Sequence, residues 1–168
     1  MDELLLLARF ENQRQTLKLE NVHLNGLILE LVSRNTSALK EKKITCNTNF
    51  SKDFYTQTDS YLCSIIINNL ITNAIKYSKK EAILSIDIAE TETNLICTIT
   101  DNGIGISEED LQKIFEQFYR SKSGEHPEIK GTGLGLSIVK RLCTLLDIEI
   151  KIESVENIGT KVMLHFNK

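Results

Sequence analysis

Apolar and polar residues alternate along this chain with two periods, one typical of helices and the other of strands. Helical spacing predicts four helices, over residues 2–13, 24–43, 59–77 (beginning at Asp59 or Ser60) and 134–146. Alternation with a period of two predicts six strands, over residues 44–49, 54–56, 82–89, 95–100, 148–153 and 161–166. The first two of these strands are expected to pair with each other. Ser107 resembles one further helix start, and residues 119–132 are expected to form a polar loop.

Helices placed between pairs of strands predict an α+β protein. The expected architecture is a two-layer α/β sandwich whose mixed, mostly antiparallel sheet is covered by helices on one face. The helix over residues 2–13 carries a leucine-rich stripe with little neighbouring chain to cover it. It is either an amphipathic helix that packs on the domain or the end of a helix from a larger bundle.

Composition narrows the class of protein. The 168 residues are 41% hydrophobic and 26% charged, which describes one globular domain rather than a disordered chain. Twenty Lys and Arg against 23 Asp and Glu give a net charge of −3, which argues against broad nucleic-acid binding. No apolar run is long enough to span a membrane. The cysteines are expected to be buried free thiols of a cytosolic domain, and they are Cys46, Cys63, Cys97 and Cys143.

The first segment with chemical potential is Asn69–Tyr77, within a predicted helix. Asn69 and Asn73 lie one turn apart, and Lys76 falls on the same side. Asparagine is unfavourable inside helices, so two of them beside an apolar stripe indicate a polar site at the edge of the core. Their amide oxygens suit Mg²⁺. Solvated asparagines, with a Lys76 that only complements the helix C-terminus, are the alternative.

Two further segments have groups that suit a nucleoside and its phosphates. Asp101–Ile106 follows a strand, and its carboxylate can accept a hydrogen bond from an exocyclic amine while its glycines permit close approach. The alternative is an Asn-Gly hairpin turn, which the helix start that follows disfavours. In Phe115–Arg120, two aromatic residues three apart are typical of core packing, whereas Arg120 and Lys122 can reach a phosphate.

The last segment is Gly131–Leu136, at the start of a predicted helix, where backbone N–H groups and the helix N-terminus form an anion site. Leu136 stands where a dinucleotide fingerprint needs its last glycine, and no strand immediately precedes the segment. These two departures exclude a Rossmann motif, and the lack of a following Gly-Lys-Ser/Thr excludes a P-loop.

Together and in this order, the four segments resemble those of the catalytic, ATP-binding domain of bacterial two-component sensor histidine kinases, in the GHKL superfamily. Asn69–Tyr77 resembles the N box, Asp101–Ile106 and Gly131–Leu136 the two glycine boxes, and Phe115–Arg120 the F box. The resemblance covers about residues 24–168 and implies the Bergerat-type ATP-binding fold. Residues 1–23 resemble the C-terminal end of the dimerisation and phosphoacceptor helix with its connector.

The resemblance also implies ligands and roles. ATP and Mg²⁺ would bind, with Asn73 on the metal and with Asn69, Lys76 and Arg120 near the phosphates as catalytic residues. Asp101 would accept from the adenine amino group, and Thr160 would hold a water against the base. The other implied ATP contacts, several of them in a mobile lid over residues 119–132, are Tyr77, Gly103, Gly105, Ile106, Phe118, Tyr119, Lys130, Gly131, Thr132, Gly133, Leu134, Gly135 and Leu136.

The implied activity is transfer of the ATP γ-phosphate to a histidine. Relatives that hydrolyse ATP, such as gyrase B subunits, carry a glutamate at the position of Asn69, and an amide cannot replace it as a general base. Asn69 therefore favours a kinase over an ATPase. The histidines His23, His126 and His165 lack the family's phosphoacceptor pattern, so the acceptor is expected outside this chain, which alone should not autophosphorylate.

The implied partners are the phosphoacceptor domain of the same protein, in a full-length homodimer, and the receiver domain of a response regulator. The chain by itself is expected to be monomeric and cytoplasmic, without nucleic-acid or direct membrane contact, on a parent anchored in the cell membrane. Two alternatives stay open: a degenerate nucleotide-binding regulatory module, and an anti-sigma-type serine kinase of the same fold.

Overall fold

Seven strands and five helices form the described part of the chain, residues 16–120 and 131–168 of a computed structural model. In chain order they are β1 (Leu19–His23), α1 (Leu24–Arg34), α2 (Thr36–Glu41), β2 (Thr45–Asn49), β3 (Tyr55–Asp59), α3 (Ser60–Tyr77), β4 (Ile83–Glu90), β5 (Asn94–Asp101), α4 (Glu108–Leu111), α5 (Gly135–Leu145), β6 (Ile148–Val155) and β7 (Gly159–Asn167). None of the described helices is long and apolar enough to cross a membrane. The helix predicted over residues 2–13 lies outside the described residues.

Five of the strands form one sheet in the order β2-β4-β5-β7-β6. The β2–β4 pair is parallel, whereas β4–β5, β5–β7 and β6–β7 are antiparallel. The expectation of a mixed, mostly antiparallel sheet in an α+β sandwich is therefore confirmed.

The core lies on one face of this sheet. Ile86 is opposite Ile99, Ile99 is opposite Val162, and Val162 is opposite Ile152, so these side chains share a face. Helices α3 and α5 pack on that face, and α1 packs on α3. By the same alternation, Asp101 at the end of β5 and its partner Thr160 lie on the core side. The register thus places two polar side chains at the edge of an apolar layer.

The cysteines behave as small buried hydrophobes. All four are free thiols; Cys63, Cys97 and Cys143 are buried, and Cys46 is half-buried. Burial raises the pKa of the Cys97 thiol to about 12, so that thiol stays protonated at neutral pH.

Helix α3 is capped at both ends by residues outside it. The Asp59 side chain accepts a hydrogen bond from the Leu62 amide, which confirms the predicted start of this helix. At the other end, Lys42 Nζ donates to the carbonyl oxygens of Ile75 and Lys76, at 2.8 and 2.7 Å. Partial burial lowers the pKa of the Lys42 amine. Because carbonyls at a helix C-terminus lack partners in the helix, these bonds fix the end of α3 where the polar segment lies.

The single helix predicted over residues 24–43 is wrong, because the chain breaks at Asn35. Helix α1 ends at Arg34, and Asn35 takes φ −96° and ψ 8°. Its Nδ2 donates to the Leu31 carbonyl and to Asn68 Oδ1, at 2.9 and 3.0 Å. An asparagine side chain that bonds to a helix carbonyl competes with the backbone, which accounts for the break.

The predicted pairing of the strands over residues 44–49 and 54–56 is also wrong. Strand β2 pairs with β4, and β3 pairs with β1, a strand that the sequence pattern did not reveal. The reason lies in Asn25 of α1, whose Nδ2 donates to the Lys52 carbonyl and whose Oδ1 accepts from the Phe54 amide. These bonds hold the connection between β2 and β3 against α1, so β3 runs beside β1.

The turn between β5 and α4 is held between α3 and the β6–β7 turn. Ile104 N–H donates to the Tyr77 carbonyl at 3.1 Å, and Asn157 N–H donates to the Ile104 carbonyl at 2.6 Å. Gly105 has a φ of +68°, and a Cβ added to it would lie 2.1 Å from the Val155 carbonyl oxygen. A side chain at this position would therefore force the turn away from β6.

Leu164→Ala is expected to lower the free energy of unfolding by about 2–5 kcal/mol, since Leu164 is fully buried on β7, an interior strand of the sheet. Urea unfolding followed by circular dichroism measures the change. Leu29→Ala is the matched control, because Leu29 is 49% exposed on α1 and should change stability far less. Equal losses in the two variants would contradict the assignment of the core.

Gly105→Ala is expected to lower the free energy of unfolding by at least about 1 kcal/mol, because a side chain at positive φ is strained and this one also meets β6. Gly135→Ala is the comparison: its added Cβ meets only the movable Asn69 Oδ1 at 3.1 Å, and alanine favours the helix. Chemical denaturation of both variants measures the two changes in unfolding free energy. A Gly105→Ala protein as stable as the wild type would contradict the prediction.

Candidate functional site

A cavity of about 160 Å³ lies between α3, the core face of strands β5 to β7 and the segment 104–120. Nine of the residues predicted for the site line it: Asn73, Tyr77, Asp101, Gly105, Ile106, Tyr119, Arg120, Leu136 and Thr160. Apolar residues that were not predicted as site residues complete the lining: Leu70, Ala74, Ile99, Ile104, Ile114, Ile152 and Val162. Five of these seven lie at period-two or helical spacing, which indicated burial only, since periodicity does not distinguish a core wall from a cavity wall; Ile104 and Ile114 lie outside the predicted strands and helices.

Asp101 supplies a carboxylate at the edge of the apolar cavity. Gly103 N–H donates to Asp101 Oδ1 at 2.8 Å. Burial raises the pKa of the Asp101 carboxyl, and the amide hydrogens of Gly103 and Thr160 offset part of that rise. A Cβ on Gly103 would lie 2.5 Å from the Tyr77 carbonyl oxygen, so Gly103 acts by letting the turn approach α3. The arrangement suits a ligand that brings a hydrogen-bond donor into an apolar slot.

Ser154, which was not predicted, connects the two sides of this edge. Its Oγ lies 2.8 Å from the Ile106 amide nitrogen, 2.9 Å from the Gly159 carbonyl oxygen and 2.8 Å from Thr160 Oγ1. A serine at the end of a strand gave no signal in the sequence, because its partners are distant in the chain or in the next strand.

Asn69 and Lys76 lie beside the second glycine segment. Asn69 Nδ2 donates to the Ile65 carbonyl at 2.9 Å, and Asn69 Oδ1 lies 3.1 Å from the position that a Cβ on Gly135 would take. Lys76 Nζ lies 5.0 Å from the centre of the Tyr77 ring and only 2.1 Å from a Cβ placed on Gly131. The two glycines thus leave room for the polar side chains of α3.

The end of the aromatic segment meets the same glycine segment. Phe118 N–H donates to the Gly133 carbonyl at 3.0 Å, and both residues have positive φ, +62° and +74°. Neither Phe118 nor Leu134 lines the cavity. Leu134 is buried in the core, whereas Phe118 is 63% exposed, so core packing is wrong for this second aromatic residue of the segment. Thr132 Oγ1 accepts from the Leu134 amide at 3.3 Å.

Tyr119 forms a fixed part of the cavity wall. Its hydroxyl donates to the buried Asp110 carboxylate, and this hydrogen bond raises the pKa of Tyr119 to about 12. The phenol therefore keeps its proton at neutral pH. Phe115 packs partly buried against the core, as expected, with Lys140 Nζ 5.4 Å from its ring centre. Of the predicted site and lid, Lys130 and residues 121–129 lie outside the described residues.

Comparisons with known proteins identify relatives of the chain. Residues 58–168 match the family model described as histidine kinase-, DNA gyrase B-, and HSP90-like ATPase. The chain is 35% identical, over 98% of its length, to the sensor protein RprX of Bacteroides fragilis. It is 30% identical, over 96% of its length, to the sensor histidine kinase WalK of Bacillus subtilis. It spans only 32% of RprX and 27% of WalK.

Solved structures agree on the fold. The catalytic domain of histidine kinase ThkA has a TM-score of 0.78 at 25% identity, covering 90% of this chain and 98% of that one. Full-length ShkA in complex with AMPPNP has a TM-score of 0.86 at 21% identity, covering 98% of this chain and 34% of that one. These likenesses confirm the fold expected from the sequence, and the matched family region contains all four chemical segments. The chain therefore belongs to the histidine kinase-, DNA gyrase B-, and HSP90-like ATPase family.

Proposed function

We propose that this chain is the ATP-binding catalytic part of a sensor histidine kinase, and that it transfers the γ-phosphate of ATP to a histidine on a dimerisation domain. The observation that carries the proposal is that Asn73, Asp101 and Arg120 line one and the same cavity. Family membership and the likeness to RprX and WalK support the same interpretation.

The base of the nucleotide is assigned to the apolar part of the cavity. Ile99, Ile152 and Val162 offer flat apolar contact from the sheet, and Leu70 and Ala74 offer it from α3. The Asp101 carboxylate can accept from the exocyclic amine of adenine at the edge of this slot. A planar base with one amino donor matches that combination of apolar walls and a half-buried acceptor.

The phosphates are assigned to the side of α3 that carries Asn69 and Lys76, beside the second glycine segment. Helix α5 begins at Gly135, and Leu134 at its N-cap position has no side-chain acceptor, which leaves the first amides of the helix to an anion. Lys76 approaches this segment from α3, and Arg120 lines the cavity. Two cations and a helix N-terminus suffice for a polyphosphate in a protein of net charge −3.

The chemistry of the available ligands suits Mg²⁺. No group of three or more His, Cys, Asp or Glu within residues 16–120 and 131–168 could hold a metal. Mg²⁺ is typically held by one or two protein oxygens together with waters and substrate phosphates, and the Asn73 amide oxygen fits that role. When bound, the ion would neutralise phosphate charge.

Asn69 supports a kinase rather than a hydrolase. Its side chain is an amide held to the Ile65 carbonyl, and an amide cannot take a proton from water as a general base. A neutral imidazole attacks the γ-phosphorus through its own lone pair while the bond to the bridging oxygen breaks and ADP leaves. Such a transfer needs positioning and charge neutralisation more than a base.

The phosphoacceptor is placed outside this chain. His23 Nε2 lies 2.9 Å from Asp53 Oδ1, and the His23 ring stacks on Tyr55. His165 lies within β7. Both histidines are therefore interpreted as structural residues. His126 lies outside the described residues. We assign residues 1–23 to the end of the dimerisation helix and its connector, and residues 24–168 to the catalytic domain. Strand β1, which ends at His23, would tie the connector to β3.

The proposal includes the partners of the whole protein. ThkA, which shares the fold, was solved in complex with the response regulator protein TrrA. By the same interpretation this protein, as a membrane-anchored homodimer with the present domain in the cytoplasm, passes its phosphate to the receiver domain of a response regulator. The chain alone is expected to be monomeric.

Asn73→Ala is expected to abolish the Mg²⁺-dependent part of the affinity for ADP, because it removes the side-chain oxygen assigned to the metal. Isothermal titration calorimetry with and without Mg²⁺ measures this. Asn68→Ala is the matched control on the same helix, since Asn68 Oδ1 faces Asn35 instead of the cavity. Unchanged Mg²⁺ dependence in Asn73→Ala would remove Asn73 from the metal site.

The chain mixed with Mg²⁺, γ-labelled ATP and a separately produced phosphoacceptor hairpin of its own full-length protein is expected to give acid-labile phosphohistidine on the hairpin. The chain alone should remain unlabelled. Acid-stable phosphoserine on a protein substrate would identify a serine kinase, and nucleotide binding without any transfer would identify a regulatory module. Robust labelling of the chain alone would contradict the placement of the acceptor.

A further inference from the structure

The hydroxyl of Ser154 joins three parts of the cavity edge. Ser154 lies opposite Thr160 in the β6–β7 ladder, and Thr160 lies opposite Asp101 in the β5–β7 ladder. Ser154 Oγ is within 2.8–2.9 Å of the Ile106 amide nitrogen, the Gly159 carbonyl oxygen and Thr160 Oγ1. Thr160 and Asp101 line the cavity. Ser154 therefore stands directly behind a residue that faces the ligand.

The three contacts determine which atom carries which proton. A hydroxyl has one proton to donate and two lone pairs to accept with. The Gly159 carbonyl only accepts, so it takes the Ser154 proton, and the Ile106 amide only donates, so it occupies one Ser154 lone pair. The second lone pair then accepts the proton of Thr160. Thr160 Oγ1 is left with lone pairs alone to present to the cavity.

We propose that Ser154 is a specificity-determining positioning residue, which takes the Thr160 proton and so makes the Thr160 hydroxyl a hydrogen-bond acceptor beside the Asp101 carboxylate. With acceptors on β5 and on β7, this edge of the cavity selects a base whose exocyclic group there is an amino group. Adenine has that donor, whereas hypoxanthine has a carbonyl oxygen there. The inference rests on the proposed function, because it assigns the selectivity of the same nucleotide site.

Loss of the serine hydroxyl weakens this selection. In Ser154→Ala the Thr160 proton has lost its acceptor, so the hydroxyl can turn and donate to a carbonyl on the base. The Ile106 amide also loses its partner, which weakens binding of every nucleotide alike. The substitution therefore changes selectivity through Thr160 and overall affinity through Ile106. The ratio of the affinities for the two nucleotides reports the change in selectivity alone.

The test compares the affinities for ADP and inosine diphosphate in the presence of Mg²⁺, by calorimetry. Ser154→Ala is expected to lower the preference for ADP by about three- to tenfold, the range for one neutral hydrogen bond. Ser154→Thr, which keeps the hydroxyl, should retain the wild-type preference for ADP. Ser85→Ala is the matched control, because Ser85 lies on the opposite face of the sheet from the cavity and should leave the preference unchanged.

Thr160→Val gives a second, independent measurement, since it leaves Ser154 and its bond to Ile106 in place. It should lower the preference for ADP by itself, and adding Ser154→Ala to it should change the preference no further, because the proton that Ser154 takes is gone. An equal loss of affinity for both nucleotides in Ser154→Ala, or an undiminished effect in the Thr160→Val background, overturns the inference. A wild-type protein that binds neither nucleotide overturns the proposed function instead.

Discussion

The close packing of the turn after β5 is the constraint on which the rest of the site depends. This turn is bonded to the Tyr77 carbonyl on one side and to Asn157 on the other, through the two backbone groups of Ile104. It fits between them because Gly105 has no side chain to meet β6. Since the turn begins at Asp101, the same contacts fix the distance from the half-buried carboxylate to α3. A helix and a sheet become two walls of one cavity at this point.

Helix α3 contributes residues to both the base-binding and the phosphate-binding part of the proposed site. Its first turn is capped by Asp59, and its last carbonyls are bonded by Lys42, which comes from the chain just after α2. A helix fixed at both ends holds Asn73 at the cavity and Asn69, one turn earlier, beside the second glycine segment. The polar site is therefore precise without a cluster of charged residues. This is consistent with an anionic ligand bound by a protein of net charge −3.

The cavity changes from apolar to polar over one step of the sheet. Ile99 and Val162 belong to the core layer, and the next inward positions on the same strands are Asp101 and Thr160. Burial raises the pKa of the Asp101 carboxyl, and the backbone amides that it accepts from counter this rise. The Ser154 hydroxyl accepts the Thr160 proton and thereby sets the orientation of the Thr160 hydroxyl. Recognition thus depends on hydrogen-bond direction as much as on shape.

The sequence by itself determined the elements and the chemical segments whose signals are local. The periodicity placed α3, α5 and strands β4 to β7. The resemblance of the segments around Asn69, Asp101 and the second glycine segment to a family's boxes implied the ligand, because each of these motifs lies within a few residues. Only the tertiary structure decided that β2 pairs with β4, that Asn35 ends α1, and that Ser154 meets Thr160. Those contacts join residues from separate elements, so their energies depend on which surfaces meet when the chain folds. Local periodicity contains no information on that choice.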